Sequence, residues 1–133
     1  MSGIIGLISV SAATVGASEV KMDRLALAAS TSVQTVATPT SGKRIRLIGY
    51  FLSLGSNSAN LAVELYFGTG ANIGSDDTKA ISNPHLEQTD ASEAVVGNFP
   101  DGAGPIGAVD DVVSVRFNDT GDNVRVVVIY REE

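Results

Sequence analysis

The chain has 133 residues and a formal net charge of −6, from nine Lys plus Arg against fifteen Asp plus Glu. Its length suits one domain, and the acidic balance argues against sequence-independent binding to nucleic acid or to an anionic membrane, both of which need clustered cations. The absence of cysteine excludes a disulfide framework and a thiolate zinc site, and a charged fraction of 18%, below the usual ~25%, suggests that part of the surface is covered by something other than water.

No long window carries a 3.6-residue apolar period. Runs rich in Val, Ile, Leu and Thr alternate instead with clusters of Gly, Asn, Asp, Ser and Pro, which predicts an all-β chain. Ile4–Val10 is the first candidate strand, with Ile4, Ile5, Leu7 and Ile8 as its apolar side chains. Residues 1–22 are therefore expected to form an N-terminal arm or first strand, and residues 23–133 a β-sandwich domain. No Lys or Arg precedes the apolar run, and Ser9, Ser11 and Thr14 interrupt it, so it does not read as a cleaved signal sequence. It is also too short to span a bilayer, which takes about 20 apolar residues.

Arg24–Ala28 and Ser32–Thr38 follow as short strands, the second ended by Pro39, which cannot donate to a ladder. Ser41-Gly42 then turns the chain into a long strand, Lys43–Leu54. Here Ile45, Leu47 and Phe51 occupy alternate positions opposite Arg44 and Arg46, but beyond Ile48 the second set, Tyr50, Leu52 and Leu54, is apolar too. A strand apolar on both faces should be central or should lie at a subunit contact. Leu61, Val63, Leu65 and Phe67 alternate with Ala62, Glu64 and Tyr66 in the next strand, and the short polar loop between the two predicts a hairpin.

From Thr69 to Asp110 the pattern weakens, with Thr78–Ser82 and Ala91–Phe99 as short candidates; loops of this length commonly carry function or contact a partner. Val113, Val115 and Phe117 alternate again. The last strand, Asn123–Arg131, has Val124, Val126, Val128 and Tyr130 on one side and Val127 and Ile129 on the other. This number of short strands without helices predicts two packed antiparallel sheets, a jelly-roll-like β-sandwich.

No motif supports catalysis. His85 stands alone in NPHL, expected to be a loop, and no serine lies in a G-x-S-x-G setting. Asp76-Asp77, Asp110-Asp111 and Asp119 with Asp122 fall in turns, where calcium could be gathered, but Asp and Asn form turns without a metal and DTGDN lacks the EF-hand spacing. The Gly68–Gly74 stretch, GTGANIG, is followed by acidic turn residues rather than a Lys-bearing helix, so it is not a phosphate loop. Neither a metal nor any other cofactor is expected. Lys43, Arg44 and Arg46 form a basic cluster, too small for nucleic acid, that should meet carboxylates of this fold or of a neighbouring subunit. Three tyrosines, four phenylalanines and no tryptophan also leave little for stacking a sugar.

The segment Asp23–Gly70, with its Thr/Val/Ala-rich strand, Gly-Lys-Arg-Ile-Arg turn and long strand leading to a Gly-rich loop, resembles small structural proteins of tailed bacteriophages. The segment Gly107–Glu132 is similar to the closing hairpin of that family. Together they cover somewhat over half the chain. The resemblance implies a non-enzymatic virion protein on the capsid surface: a head-decoration subunit that binds copies of itself, as a trimer, and the major capsid protein or another virion protein. The residues expected at its subunit interface are Ile4, Ile5, Leu7, Ile8, Tyr50, Leu52, Leu54, Val127 and Ile129. Two rivals remain at this point. One is a subunit of an extracellular filament linked by donated N-terminal strands, and the other a secreted carbohydrate- or calcium-binding module.

Overall fold

The computed structural model describes residues 18–54, 61–70, 78–86 and 93–133. Ile4–Val10, and with it the interface expectation for Ile4, Ile5, Leu7 and Ile8, lies outside the described residues. Nine strands are described: β1 (Lys21–Ala29), β2 (Gln34–Ala37), β3 (Ile45–Leu54), β4 (Leu61–Phe67), β5 (Ala80–Ser82), β6 (His85–Leu86), β7 (Glu93–Asn98), β8 (Val113–Phe117) and β9 (Gly121–Glu132). They form two antiparallel sheets packed as an all-β sandwich, one in the order β1-β9-β3-β7 and the other β2-β8-β4-β5, with β6 also paired to β4. The first strand takes in Lys21 and Met22, which the sequence suggested as part of the arm.

Each strand arises where alternation lets one face be apolar. In β4, Leu61, Val63, Leu65 and Phe67 all point into the sandwich and are buried. In β9, Val124, Val126, Val128 and Tyr130 do the same. Fully burying a side chain of this size contributes roughly 1.5–3 kcal/mol, so these two rows are a substantial part of the core. Tyr130 also keeps its hydroxyl satisfied, donating to Asp23 Oδ2 at 2.7 Å. Burial first, and that bond second, push its pKa well above the usual tyrosine value.

Two expected hairpins are not hairpins. β3 and β4 belong to opposite sheets, and so do β8 and β9. In each case the second strand lies across the sandwich from the first rather than beside it. Amphipathic alternation is the same whether the next strand pairs laterally or stacks across the core, so periodicity alone does not separate the two. His85, expected in a loop, lies in β6, where it pairs with Ala62, and Asp122 begins a strand rather than ending a turn.

β3 is internal, between β9 and β7, and contains a bulge. Ile129 of β9 pairs with Gly49 while Tyr130 pairs with Leu47, so Ile48 is an additional residue on β3. Because faces alternate with period two, one added residue exchanges them. Ile45 and Leu47 point inward before the bulge and Leu52 and Leu54 point inward after it, all 0% exposed. Apart from Phe51, which the bulge turns outward, the two apolar faces read from the sequence are thus one continuous core face. Leu52 and Leu54 are core residues and not surface for a neighbouring subunit. Tyr50 also faces inward, half-buried, with its ring 6.2 Å from that of Phe99.

The bulge marks a change of partner along the outer edge of β3. Residues 49–54 pair with β7. Residues 45–47 bond instead to the segment after it, through Leu47 N to Pro105 O at 2.9 Å and Gly107 N to Ile45 O at 3.0 Å. Gly104 makes this approach possible: a Cβ there would sit 2.0 Å from the Leu47 carbonyl oxygen. Gly104→Ala should therefore force main-chain displacement and lower stability by ~3 kcal/mol in urea denaturation.

The chain's last residues are tied into the fold by the basic cluster, as its charge suggested. Arg46 pairs with Glu133, whose backbone exchanges hydrogen bonds with Arg44 at 2.8 and 2.9 Å. Glu132 accepts from Thr40 N and Thr40 Oγ1 and from Lys21 Nζ at 3.0 Å. Arg131 holds Asp101 through two nitrogens. The Thr40 main-chain bond lowers the pKa of Glu132 most, the Arg46 bond that of Glu133, and the Arg131 bond that of Asp101. Carboxylates with depressed folded pKa values stabilise the fold above their unfolded pKa and lose that contribution as they protonate. Stability should hold from neutral pH down to the ordinary Glu value of 4.5 and fall as pH drops further. Glu132→Gln should flatten that acid-side slope in urea midpoints measured against pH.

Candidate functional site

The outer face of the β1-β9-β3-β7 sheet is built from the alternate positions that the core does not use. Register places Arg24, Val127, Phe51 and Val96 in one row across the four strands. The row on one side is Met22, Ile129, Gly49 and Asn98, and on the other Ala26, Arg125, Ser53 and Ala94. The centre of this face is therefore apolar, yet it lies in solvent. Met22 is 61% exposed, Val96 58% and Phe51 36%, while Val127 and Ile129 are half-buried between their neighbours. A half-solvated antiparallel sheet normally carries polar residues here, so an apolar band crossing all four strands is a candidate contact surface.

The band deepens beside β1. A groove of about 410 Å³ is lined by Arg24, Leu25, Ala26, Phe51, Arg125, Val126 and Val127. Two cations flank its apolar floor. Among the described residues the ion pairs are Lys21–Glu132, Arg46–Glu133, Glu64–Arg116 and Arg131–Asp101. Arg24 and Arg125 take part in none of them. At the other end of the face, Arg46 and Arg131 are neutralised by carboxylates of the same chain.

The opposite layer differs. On its outer side Glu64 and Arg116 pair at 3.3 Å, and Arg116 also donates to Thr31 O at 3.0 Å. Ser114, fully buried, donates to Gly68 O at 2.6 Å. Tyr66 is buried on this side with no hydrogen-bond partner for its hydroxyl among the described residues, and that burial raises its pKa.

Of the interface residues expected from sequence, Val127 and Ile129 lie on the exposed face, whereas Tyr50, Leu52 and Leu54 lie on its inner side. Met22, Phe51, Val96, Arg24 and Arg125 were not anticipated. For Phe51 the signal was Gly49, because a glycine inside a strand pattern marks a bulge, and a bulge there moves Phe51 outward.

Two of the acidic side chains, Asp110 and Asp119, hold local main-chain groups. Asp110, at φ 68°, accepts a 2.6 Å bond from Gly42 N and donates its own N–H to Lys43 O at 2.8 Å. Asp119 Oδ1 accepts from Thr120 N at 2.8 Å. Asp76, Asp77 and the side chain of Asp122 lie outside the described residues. Among the described residues no three His, Asp or Glu side chains converge as a metal site would require. Neither a protein-family model nor a curated protein sequence matches the chain.

The exchange of faces at Ile48 is measurable. Leu52→Ala should cost ~2–5 kcal/mol in urea denaturation, as a cavity-forming core change does. Phe51→Ala, its immediate neighbour, should cost about 1 kcal/mol or less. Both are to be measured at protein concentrations where the midpoint no longer changes on dilution, so that folding and assembly are not confused.

Proposed function

We propose that this protein is a non-enzymatic structural subunit that binds copies of itself, and that it decorates the capsid surface of a tailed-bacteriophage virion by gripping the shell lattice. The observation that carries the self-association is the apolar band on the outer face of the β1-β9-β3-β7 sheet, which leaves Met22, Phe51 and Val96 in water in a single chain. Covering them contributes about 25 cal/mol per Å² of apolar surface removed from solvent. A symmetric shell multiplies such weak contacts.

The virion assignment rests on the likeness of Asp23–Gly70 and Gly107–Glu132 to phage structural proteins. The strand order is compatible with it. Chain connections pass repeatedly between layers, and in the β1-β9-β3-β7 sheet no two neighbours are consecutive in sequence. We read this order as a jelly roll, an architecture that viral capsid domains share with lectins. Architecture does not fix function, so the exposed face carries the argument.

The mass of the purified protein by light scattering tests the reading. An oligomer is expected, with the trimer as the state the resemblance implies. Phe51→Asp should shift that mass toward the single chain while leaving the far-ultraviolet circular dichroism unchanged. A wild-type protein that stays monomeric at every concentration would overturn it.

A further inference from the structure

The exposed sheet face is basic as well as apolar, and this restricts how two copies can meet. Apart from Arg46 and Arg131 at one end, which Glu133 and Asp101 neutralise, its register positions hold Arg24 and Arg125 and no carboxylate among the side chains described. Two such faces packed against each other about a two-fold axis would bring four unpaired guanidinium groups together, with nothing to neutralise them. An isologous contact is therefore disfavoured. The chain as a whole is acidic, at −6. A complementary surface exists elsewhere on the same molecule.

Among the described residues, the large apolar side chains that stand exposed are Val20, Met22, Phe51, Val96 and Val109. Met22, Phe51 and Val96 belong to the sheet face, and Val20 lies directly before its edge strand. Val109 is elsewhere. It projects, 54% exposed, from the turn Ala108–Asp111. That turn is held by Asp111 N to Ala108 O at 3.1 Å and Asp110 N to Lys43 O at 2.8 Å. The Asp110 carboxylate is engaged by Gly42 N, but that of Asp111 has no partner among the described residues. A fixed apolar knob thus stands beside an unpaired carboxylate. The groove beside β1 is the inverse: an apolar floor of Phe51 and Val127 between unpaired arginines.

The knob is out of reach of its own groove. It is bonded to Lys43, which precedes Phe51 along the same extended run by roughly 25 Å at a strand's rise per residue. We infer that the Ala108–Asp111 turn of a second copy docks in this groove, Val109 against Phe51 and Val127, with the Asp111 carboxylate between Arg24 and Arg125. This rests on the self-association proposed above and specifies its geometry. The contact is head-to-tail, so it closes into a ring where the rotation permits, a trimer included, and otherwise runs on as a filament.

Charge reversal in the full-length chain tests it. Val109→Asp, Asp111→Lys and the double variant Arg24→Glu/Arg125→Glu should each raise the dissociation constant of the oligomer on the order of 30-fold by light scattering across a dilution series. Combining Arg24→Glu, Arg125→Glu and Asp111→Lys in one chain should restore the wild-type mass. All these positions are solvent-facing or half-buried and outside the core, and an unchanged urea midpoint under dissociating conditions verifies the fold. If Phe51→Asp dissolves the oligomer but Val109→Asp and the charge reversals do not, the docking geometry is wrong while self-association stands. A monomeric wild type removes both.

Discussion

Because side chains along a strand alternate with a period of two, a single added residue exchanges the faces of everything beyond it, and in β3 that residue is Ile48. The core depends on the exchange. It lets Ile45 and Leu47 face the second sheet at one end of the strand while Leu52 and Leu54 face it at the other, opposite Val126 and Val124 of β9. It also frees the far edge of β3 to serve two partners in succession, residues 105–107 and then β7. The same step places Phe51 in water, where it joins Val127 and Val96 across the sheet. Core and contact surface are two results of one insertion.

Eight of the strands were legible from alternation and turn residues, and so was the all-β sandwich. Pro39, Ser41-Gly42 and the Asn118–Thr120 turn each fell where a strand ends or begins. What alternation could not supply was the partner of each strand. The polar loop after Leu54 looks the same whether β4 folds back beside β3 or crosses above it, and it crosses. Alternation also conceals the bulge in β3: without it Leu52 and Leu54 look like surplus surface, whereas they complete the core and the surplus lies on Met22, Phe51 and Val96. The requirement for apolar surface beyond what one sandwich encloses persists, but with different residues meeting it.

The cations divide by location. Lys21, Arg46 and Arg131 hold carboxylates near the end of β9 and fasten the closing residues of the sheet. These pairs are at the surface, so their worth lies in cooperation with the main-chain bonds between Arg44 and Glu133 more than in Coulombic attraction alone. Arg24 and Arg125 carry the same charge in the same sheet and are left without such a role. A guanidinium beside an apolar groove can accept a carboxylate in a bidentate fork while its stem lies on the floor. Specificity for one partner over another would then come from charge and the shape of the groove together.

The position of β9 has a kinetic meaning. It lies between β1 and β3 in the sheet but follows both of them, and β7, in the chain. Among the described strands, β9 is the one lateral neighbour of β1 in this layer, and β3 borders it on the other side. Joining residues 21–29 to residues 121–132 closes a loop spanning most of the polypeptide, an entropic cost met before the contacts compensate for it. Such long-range pairing is the kind that slows folding, and β9 is the strand that joins two neighbours distant in sequence into a single layer.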